Sequence, residues 1–335
     1  MLYIHQFPDW TNFRYNHKSV VKALGKARME QGHLLGLAKL VDFNSRATEI
    51  LAKDIAANFA IDGITANADA IQNELLLRND STRAEVKNHL GMLQKAEQPL
   101  TEERIFNWHA SLGQNQAHHF REEDSEVIFG EKKFQGVSAY RLQAEMERFI
   151  NWFETDDEDS VIKAAIAQFW FLTIRPFDDA NGRIARMLSA MLLARCEGTK
   201  CCSYALNAEI LQQKEEYFQI LAKCQAGNGD LTEWILWFLA RMSDAIQKTI
   251  EQISSEVFAK QHQAQGTIGK NSAREQKLFE AVFNGTLQQS FTVKEYAALV
   301  GTSHDTALRD LQSLIEQGTV KQNKGGRSTC YSLTK

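Results

Sequence analysis

The stretch FWFLTIRPFDDANGRIARMLSAMLLA, residues 169–194, carries two apolar helical segments joined by a short polar loop. The first helix is expected to end near Ile174, because Pro176 disfavours helical geometry at the residue before it. A second helix is expected within a few residues, since apolar side chains recur at helical spacing at Ile184, Met187, Leu188 and Met191. The stretch therefore predicts two helices that meet at a tight loop.

The loop side chains suit both the start of a helix and the binding of an anion. Asp178, Asp179 and Asn181 are all good N-cap residues, and a helix N-terminus offers unpaired N–H groups and a positive dipole end. Arg183 and Arg186, three residues apart, lie on one face of the first turn. Basic residues are unfavourable there, so they indicate a bound anion. The alternative is that Asp178 or Asp179 simply pairs with the two arginines.

Length and composition limit the remaining choices. A chain of 335 residues is expected to fold as two or three domains. Three prolines favour long helices over a turn-rich all-β fold. No apolar run approaches the roughly 20 residues of a membrane span, and no signal pattern opens the chain, so we expect a cytoplasmic protein without a membrane partner. Five cysteines without paired CxxC blocks are expected to be reduced thiols.

The pattern along the chain predicts a helical N-terminal domain over 1–95, a helical core over 96–260, a polar linker over 261–271 and a separate domain over 272–335. Within the core, SEVIFGEKKF (125–134) interrupts the helical pattern. It predicts a β-hairpin with a two-residue turn at Gly130-Glu131.

The last domain has the pattern of a winged helix-turn-helix. TVKEYAALVG (292–301) predicts a first helix that ends at Gly301, and Ser303 is expected to cap the second. Leu308, Leu311 and Ile315 are expected to face the core. A two-stranded wing with Gly325-Gly326 at its tip is expected to follow.

The formal charge of the chain is −4, so any contact with nucleic acid must be local. Residues 270–335 carry nine Lys and Arg against six Asp and Glu, about +3. The side chains expected to reach duplex DNA are Thr306, Arg309, Gln312, Lys324 and Arg327. Because +3 is modest for phosphate binding, protein contact or dimerisation stays open as an alternative.

RPFDDANGRIAR (175–186) resembles the signature of Fic-domain proteins, His-Pro-Phe-x-(Asp/Glu)-Gly-Asn-Gly-Arg-x-x-Arg. YIHQFPDW (3–10) resembles the start of the helical segment that precedes the core in many such proteins, and 214–239 resembles the helices that follow it. The resemblance spans roughly residues 1–245. It implies a mainly α fold: a Fic-type helical core with a small β-hairpin flap that holds a target segment, here followed by the winged helix-turn-helix domain.

Most members of that family transfer AMP from ATP to a hydroxyl group of a target protein. Carried over by position, the resemblance implies that Asp179 holds Mg²⁺. It also implies that Asn181, Gly182 and Arg183 cradle the phosphates and that Arg186 reaches the terminal phosphate. ATP and Mg²⁺ are therefore the expected cofactors.

The sequence departs from the family pattern at the chemistry itself. Arg175 stands where the family has the histidine that accepts the proton, and arginine stays protonated near neutral pH. Ala180 replaces a glycine, which is a mild change. Many members also carry an inhibitory helix with the pattern Ser/Thr-x-x-x-Glu-Gly, and the matching residues here are Asn58, Asp62 and Gly63. We expect an Asp62–Arg186 pair, held less firmly than a glutamate would hold it.

Two functions follow. The first is a Fic-type protein that binds ATP and Mg²⁺ and transfers AMP weakly or not at all, unless another residue acts as the base. His109, His118 and His119 precede or lie near the flap and could reach the site, although such histidines are more often core or surface residues. The second is a DNA-binding transcriptional regulator whose degenerate core serves as a nucleotide sensor or interaction platform. The sequence leaves the target protein and the oligomeric state open.

Overall fold

The computed structural model describes residues 2–39, 43–77, 82–112, 119–129, 132–200, 203–264, 273–283, 286–288, 290–323 and 329–333. The chain divides into two compact units. The first comprises residues 1–36 and 42–246, and the second residues 37–41 and 247–335. Each is described by itself below.

The first unit is built from helices and one β-hairpin. The helices are α1 His17–Ala38, α2 Phe43–Ile61, α3 Ala68–Leu77, α4 Ala84–Gln94, α5 Glu102–Leu112, α6 Leu142–Thr155, α7 Ser160–Ile174, α8 Asn181–Glu197, α9 Leu206–Gln212, α10 Lys214–Gln225 and the start of α11 Thr232–Ala264. The hairpin pairs β1 Glu126–Phe129 with β2 Lys132–Gln135, and its register runs from Glu126↔Gln135 to Phe129↔Lys132. The mainly α prediction and the hairpin are confirmed, while its turn, 130–131, lies outside the described residues.

Helix α7 forms the centre of this unit. Every residue from Val161 to Ile174 is buried, as expected of a helix that is apolar on all sides. Its N-terminus is capped by Asp159, whose carboxylate accepts from the Val161 amide at 2.9 Å. The one charged residue in this stretch, Lys163, is satisfied by its Nζ donating to the Asp156 carbonyl at 2.6 Å. Around the helix the aromatic rings pack mostly edge to face, with Trp170 5.9 Å from Trp10 and 5.6 Å from Phe149.

The second unit contains the predicted helix-turn-helix with a sheet. Its elements after α11 are α12 Ala273–Phe283, β3 Ser290–Thr292, α13 Val293–Val300, α14 His304–Glu316, β4 Val320–Asn323 and β5 Cys330–Leu333. The sheet is antiparallel with the order β3-β5-β4, so β3 joins the two wing strands that the sequence predicted. Gly301 adopts a left-handed conformation at the turn, and the Ser303 hydroxyl accepts from the Thr306 amide at 3.3 Å.

Two expectations for this part of the chain are wrong in detail. Leu308 does not face the core but is 39% exposed, because the inward face of α14 is formed by Ala307, Leu311 and Leu314. The predicted linker over 261–271 begins too early, since α11 continues through Ala264. Its remaining residues lie outside the described part of the chain.

None of the described helices combines the length and the apolar character needed to cross a bilayer.

Asp310 joins three helices of the second unit. Its carboxylate accepts two hydrogen bonds from the Arg274 guanidinium on α12, at 2.8 and 3.2 Å, and one from the Tyr296 hydroxyl on α13, at 3.3 Å. Burial, followed by the nearby Asp310 carboxylate, raises the pKa of Tyr296 above its usual value, so this hydroxyl stays a donor.

Asp310→Ala should therefore destabilise the helix-turn-helix by about 2 kcal/mol, because hydrogen bonds to a charged group are lost at a half-buried position. Hydrogen exchange of the α13 and α14 amides in the full chain measures this as faster exchange. Glu316→Ala removes an exposed carboxylate from the same helix and should stay within about 0.5 kcal/mol. Equal protection in the two variants would show that Asp310 does not tie the helices together.

Candidate functional site

The loop between α7 and α8 is closed by the side chain of Asn181. Its Oδ1 accepts from the Phe177 amide at 3.0 Å, and its Nδ2 donates to the Phe177 carbonyl at 2.6 Å. The N-cap of α8 is Ala180, which has a φ of 58° and offers no side-chain cap. The prediction that Asp178, Asp179 or Asn181 caps this helix is therefore wrong, because Asn181 is the first helical residue and bonds back to the loop.

The other end of the loop is held by Arg121, which the sequence analysis did not single out. Its Nε donates to the Arg175 carbonyl at 2.7 Å and its Nη1 to the Glu123 carbonyl at 2.6 Å. Its Nη2 donates to the Val137 carbonyl, and the backbone amide of Arg121 donates to the Pro176 carbonyl at 3.0 Å. This guanidinium satisfies carbonyls that the end of α7 leaves unpaired. No periodic pattern marks the surrounding polar segment, so only the fold shows this role.

Arg186 is buried and held by α2. Its Nε donates to the Asn58 side-chain oxygen at 2.5 Å, and its Nη2 donates to the Asn58 carbonyl at 2.9 Å and to Asp62 Oδ1 at 2.8 Å. Although burial opposes the charge, Asp62 and Tyr217 raise the pKa of Arg186 above its ordinary value. The expected Asp62–Arg186 pair is present. Asn58 adds two contacts that the sequence analysis did not predict.

Arg183 also turns towards Asp62 instead of the loop aspartates. Its Nε lies 3.3 Å from Asp62 Oδ2, its Nη1 donates to the Leu112 carbonyl, and its guanidinium lies over the Phe59 ring at 5.6 Å. Asp62 thus bridges both arginines of the loop. The charged partner of Arg183 and Arg186 is therefore Asp62, and these contacts do not support the alternative in which Asp178 or Asp179 pairs with the two arginines.

Gly182 is required for this approach of α2. A Cβ at that position would lie 2.9 Å from Asp62 Oδ1 and 3.0 Å from Arg186 Nη1. Distances this short cannot be accommodated without moving the ion pair. Gly182, to which the resemblance assigns a part in a phosphate cradle, makes room for the Asp62–Arg186 contact in this structure.

A cavity of about 430 Å³ opens above the loop. Its volume suits a small molecule. Of the predicted site residues it brings together Asp62, Arg175, Asp179, Asn181, Gly182 and Arg186, whereas Arg183 is not among its lining residues. Helix α10 adds residues that the sequence analysis did not predict, namely Lys214, Tyr217, Phe218 and Leu221. Their segment matched the family only as a stretch of helix, which gave no individual side chain a role.

Arg175 lines this cavity as a cation. It ends α7 in a left-handed conformation, with a φ of 51°. Burial, with a smaller contribution from the Arg121 guanidinium, lowers the pKa of Arg175 to about 10, so it remains protonated near neutral pH. Its Nε is buried and has no hydrogen-bond partner among the described atoms.

His109 lies behind Asp179. Its Nε2 is 3.1 Å from Asp179 Oδ1, and its ring stacks on Phe177 with the centroids 4.0 Å apart. A bare Nε2 lone pair would repel the carboxylate, so we infer that Nε2 carries a proton and donates. His109 is not among the lining residues of the cavity. His119 is exposed, and its Nδ1 lies 2.8 Å from the Phe120 carbonyl oxygen. His118 lies outside the described residues.

In the second unit, the predicted DNA-contact residues of α14 share one outer face. Arg309 and Gln312 are exposed, Thr306 is half-buried against Ser303 Oγ at 2.9 Å, and Leu308 lies beside them. Lys324 and Arg327 lie outside the described residues, so the structure does not place the wing tip.

Ala180→Gly should stabilise the first unit by about 1 kcal/mol, because a left-handed backbone strains any residue with a Cβ. Denaturant unfolding followed by tryptophan fluorescence reports on this unit, since all six tryptophans lie in it. Ala190→Gly, in the middle of α8, should instead lower stability by about 1 kcal/mol. A loss of stability in Ala180→Gly would contradict the left-handed geometry of the loop.

Comparison with protein-family models finds three matches along the chain. Residues 3–92 match a domain of unknown function, DUF4172. Residues 99–193 match the Fic/DOC family, and residues 274–332 match a DeoR-like helix-turn-helix domain.

Curated relatives match a smaller part of the chain. Protein adenylyltransferase Fic of Drosophila grimshawi is 29% identical over 109 residues, which is 32% of this chain and 20% of that protein. The same protein of Drosophila mojavensis is also 29% identical over 109 residues, 32% of this chain and 19% of its own length. The chain thus matches about a fifth of the length of these relatives.

Two solved structures share the fold. A Fic family protein from Desulfovibrio desulfuricans G20 has a TM-score of 0.58 and 18% identity, with 94% of this chain and 96% of that chain covered. Fic-1 from C. elegans has a TM-score of 0.53 and 17% identity, with 71% and 73% covered. The predicted mainly α, Fic-type fold is thereby confirmed.

Proposed function

We propose that this chain, which carries a Fic/DOC domain and a DeoR-like helix-turn-helix domain, binds ATP in the cavity above the 175–181 loop and transfers AMP weakly or not at all. The observation that carries the proposal is the composition of that cavity. It combines the open N-terminus of α8, Arg186 and a carboxylate, and it has a cation where a proton acceptor is needed.

The residues present fit a nucleotide with its magnesium ion. The Gly182 backbone lies beside Arg186 at the start of α8, where phosphate oxygens would take the place that the Asp62 carboxylate now occupies. Asp179 is the cavity carboxylate that would hold Mg²⁺, because this ion is bound in many proteins by one or two carboxylates together with substrate phosphates. When bound, the ion would neutralise phosphate charge. His109 lies 3.1 Å from one oxygen of Asp179 and would help to orient this carboxylate towards the ion.

Transfer of AMP requires a proton acceptor. The hydroxyl oxygen of the target attacks the α-phosphorus, the bond to pyrophosphate breaks, and the hydroxyl proton must pass to a base. Arg175 stays protonated and cannot take it. His109 donates to Asp179 and does not line the cavity, so it does not replace the missing base in this arrangement.

Helix α2 opposes productive phosphate binding independently of the missing base at Arg175. The resemblance assigns Arg186 to the terminal phosphate, and in this structure Asp62 and Asn58 occupy its guanidinium. A phosphate could bind there only in exchange for the carboxylate. The protein is therefore proposed to be restrained both by Arg175 and by Asp62.

Arg175→His should raise AMP transfer, including self-modification, by up to about 10²- to 10⁴-fold, because it restores a proton acceptor. Adding Asp62→Gly should raise transfer further by freeing Arg186. The assay follows label from ATP labelled at the α-phosphate into protein. Arg148→His, which places a histidine on the exposed part of α6, is the matched control and should change nothing. An unmodified protein that transfers as fast as Arg175→His would contradict the proposal and require another base.

A second function, DNA binding, is supported by the outer face of α14. Arg309 and Gln312 are exposed there, while Ala307, Leu311 and Leu314 on the inward face of the helix are buried in the core. Side chains of these types read guanine and adenine edges in the major groove. Leu308, exposed on the same face, suits contact with a thymine methyl group. We propose that the second unit binds duplex DNA and that the chain acts as a transcriptional regulator.

Affinity for a duplex selected from a random library should fall steeply with salt, because phosphate contacts release counterions. Arg309→Ala should change the selected sequence.

Replacing thymine with deoxyuridine in the site should weaken DNA binding by the unmodified protein and leave binding by Leu308→Ala unaffected, since only the unmodified protein contacts the methyl group. Fluorescence anisotropy measures these affinities. A full chain that ignores DNA at low salt would favour the protein-contact alternative.

A further inference from the structure

Arg175 is a buried charge whose guanidinium forms no ion pair with a described carboxylate, although the Asp62 charge on the same cavity partly offsets its burial. No described carboxylate lies within 4 Å of its guanidinium, and its Nε has no hydrogen-bond partner among them. Burying an unpaired charge is costly, and the lowered pKa of Arg175 is consistent with that cost. An anion in the cavity would remove it. The side chain is thus arranged for a ligand that carries negative charge.

Lys214 is a second cation on the wall of the same cavity. Its Nζ lies 3.5 Å from the Ala60 carbonyl in the last turn of α2, and no carboxylate of the described chain lies within 4 Å of it. Because Asp62 neutralises Arg186, the lining charges that remain are Arg175 and Lys214 against Asp179. The cavity therefore has an excess of positive charge before any metal ion binds.

We propose that Arg175 and Lys214 bind the phosphate chain directly, so that a nucleoside triphosphate binds to this protein without a divalent cation. The inference rests on the proposed nucleotide site and goes beyond it. Like a bound dication, the Arg175 guanidinium places positive charge against phosphate oxygens, and it already lines the cavity. The same change that removes the base thus makes the site a receptor for unreacted triphosphate.

The test is calorimetric titration of the full chain with ATP, once with Mg²⁺ and once with EDTA. The dissociation constants in the two buffers should agree within about threefold. Arg175→Gln, which keeps a polar side chain of similar reach, should weaken binding in EDTA by at least about tenfold, and Lys214→Gln should weaken it in the same direction. Arg148→Gln is the surface control, and thermal unfolding confirms that each variant is folded.

Inorganic triphosphate in EDTA separates the phosphate chain from the nucleoside. Binding that Arg175→Gln weakens supports the proposal, and ATP binding in EDTA without any triphosphate binding overturns it. Binding of ATP only with Mg²⁺ also overturns it, as does an Arg175→Gln variant that binds ATP in EDTA like the unmodified protein. Absence of ATP binding in both buffers contradicts the proposed nucleotide site itself, which is a different result.

Discussion

The buried guanidinium of Arg186 is the constraint on which the site depends. A charge in this position must be paired, and its partners are Asn58 and Asp62 on α2. Meeting that need brings the last turn of α2 against the start of α8, where a Cβ at position 182 would displace the Asp62–Arg186 pair. Asp62 and Arg186 thus lie together on the wall of the cavity, and this contact decides how far the Arg186 guanidinium is available to a ligand.

The loop itself is held by neighbours that do no chemistry. Asn181 bonds to Phe177, Arg121 satisfies the carbonyls at the end of α7, and His109 fixes Asp179. These contacts hold the loop in a defined geometry although Ala180 is strained in its left-handed conformation. None of these contacts uses the Arg175 side chain, so the loop can keep the proposed nucleotide site where transfer is proposed to be lost. That separation of binding from transfer is what the proposed function requires.

Much of the fold could be predicted from the sequence, because several elements are determined by short local patterns that need no contact with distant residues. Pro176 ends α7, two short segments around Gly130-Glu131 mark the hairpin, and Gly301 with Ser303 defines the helix-turn-helix. The Asp62–Arg186 pair was also predictable, since it follows from the family pattern.

What the sequence could not provide depends on contacts between distant segments. Arg121, His109 and Lys214 lie 54, 70 and 154 residues from the atoms they contact. No spacing rule links such positions. The N-cap of α8 was misassigned for a related reason: the Asn181 side chain bonds to the Phe177 backbone and does not cap its own helix. Leu308 was placed in the core because its spacing fits two faces of an amphipathic helix equally well.

The central claim is that Asp62 and Arg186 depend on each other, and a double-mutant cycle tests it most directly. Unfolding free energies of the unmodified chain, Asp62→Ala, Arg186→Met and the double variant are measured by denaturant titration with tryptophan fluorescence. The account predicts a coupling energy of about 2 kcal/mol or more, because Asp62→Ala leaves the buried Arg186 charge without its counterion and the double variant removes that charge. Additive single changes, with a coupling energy below about 0.5 kcal/mol, would contradict it.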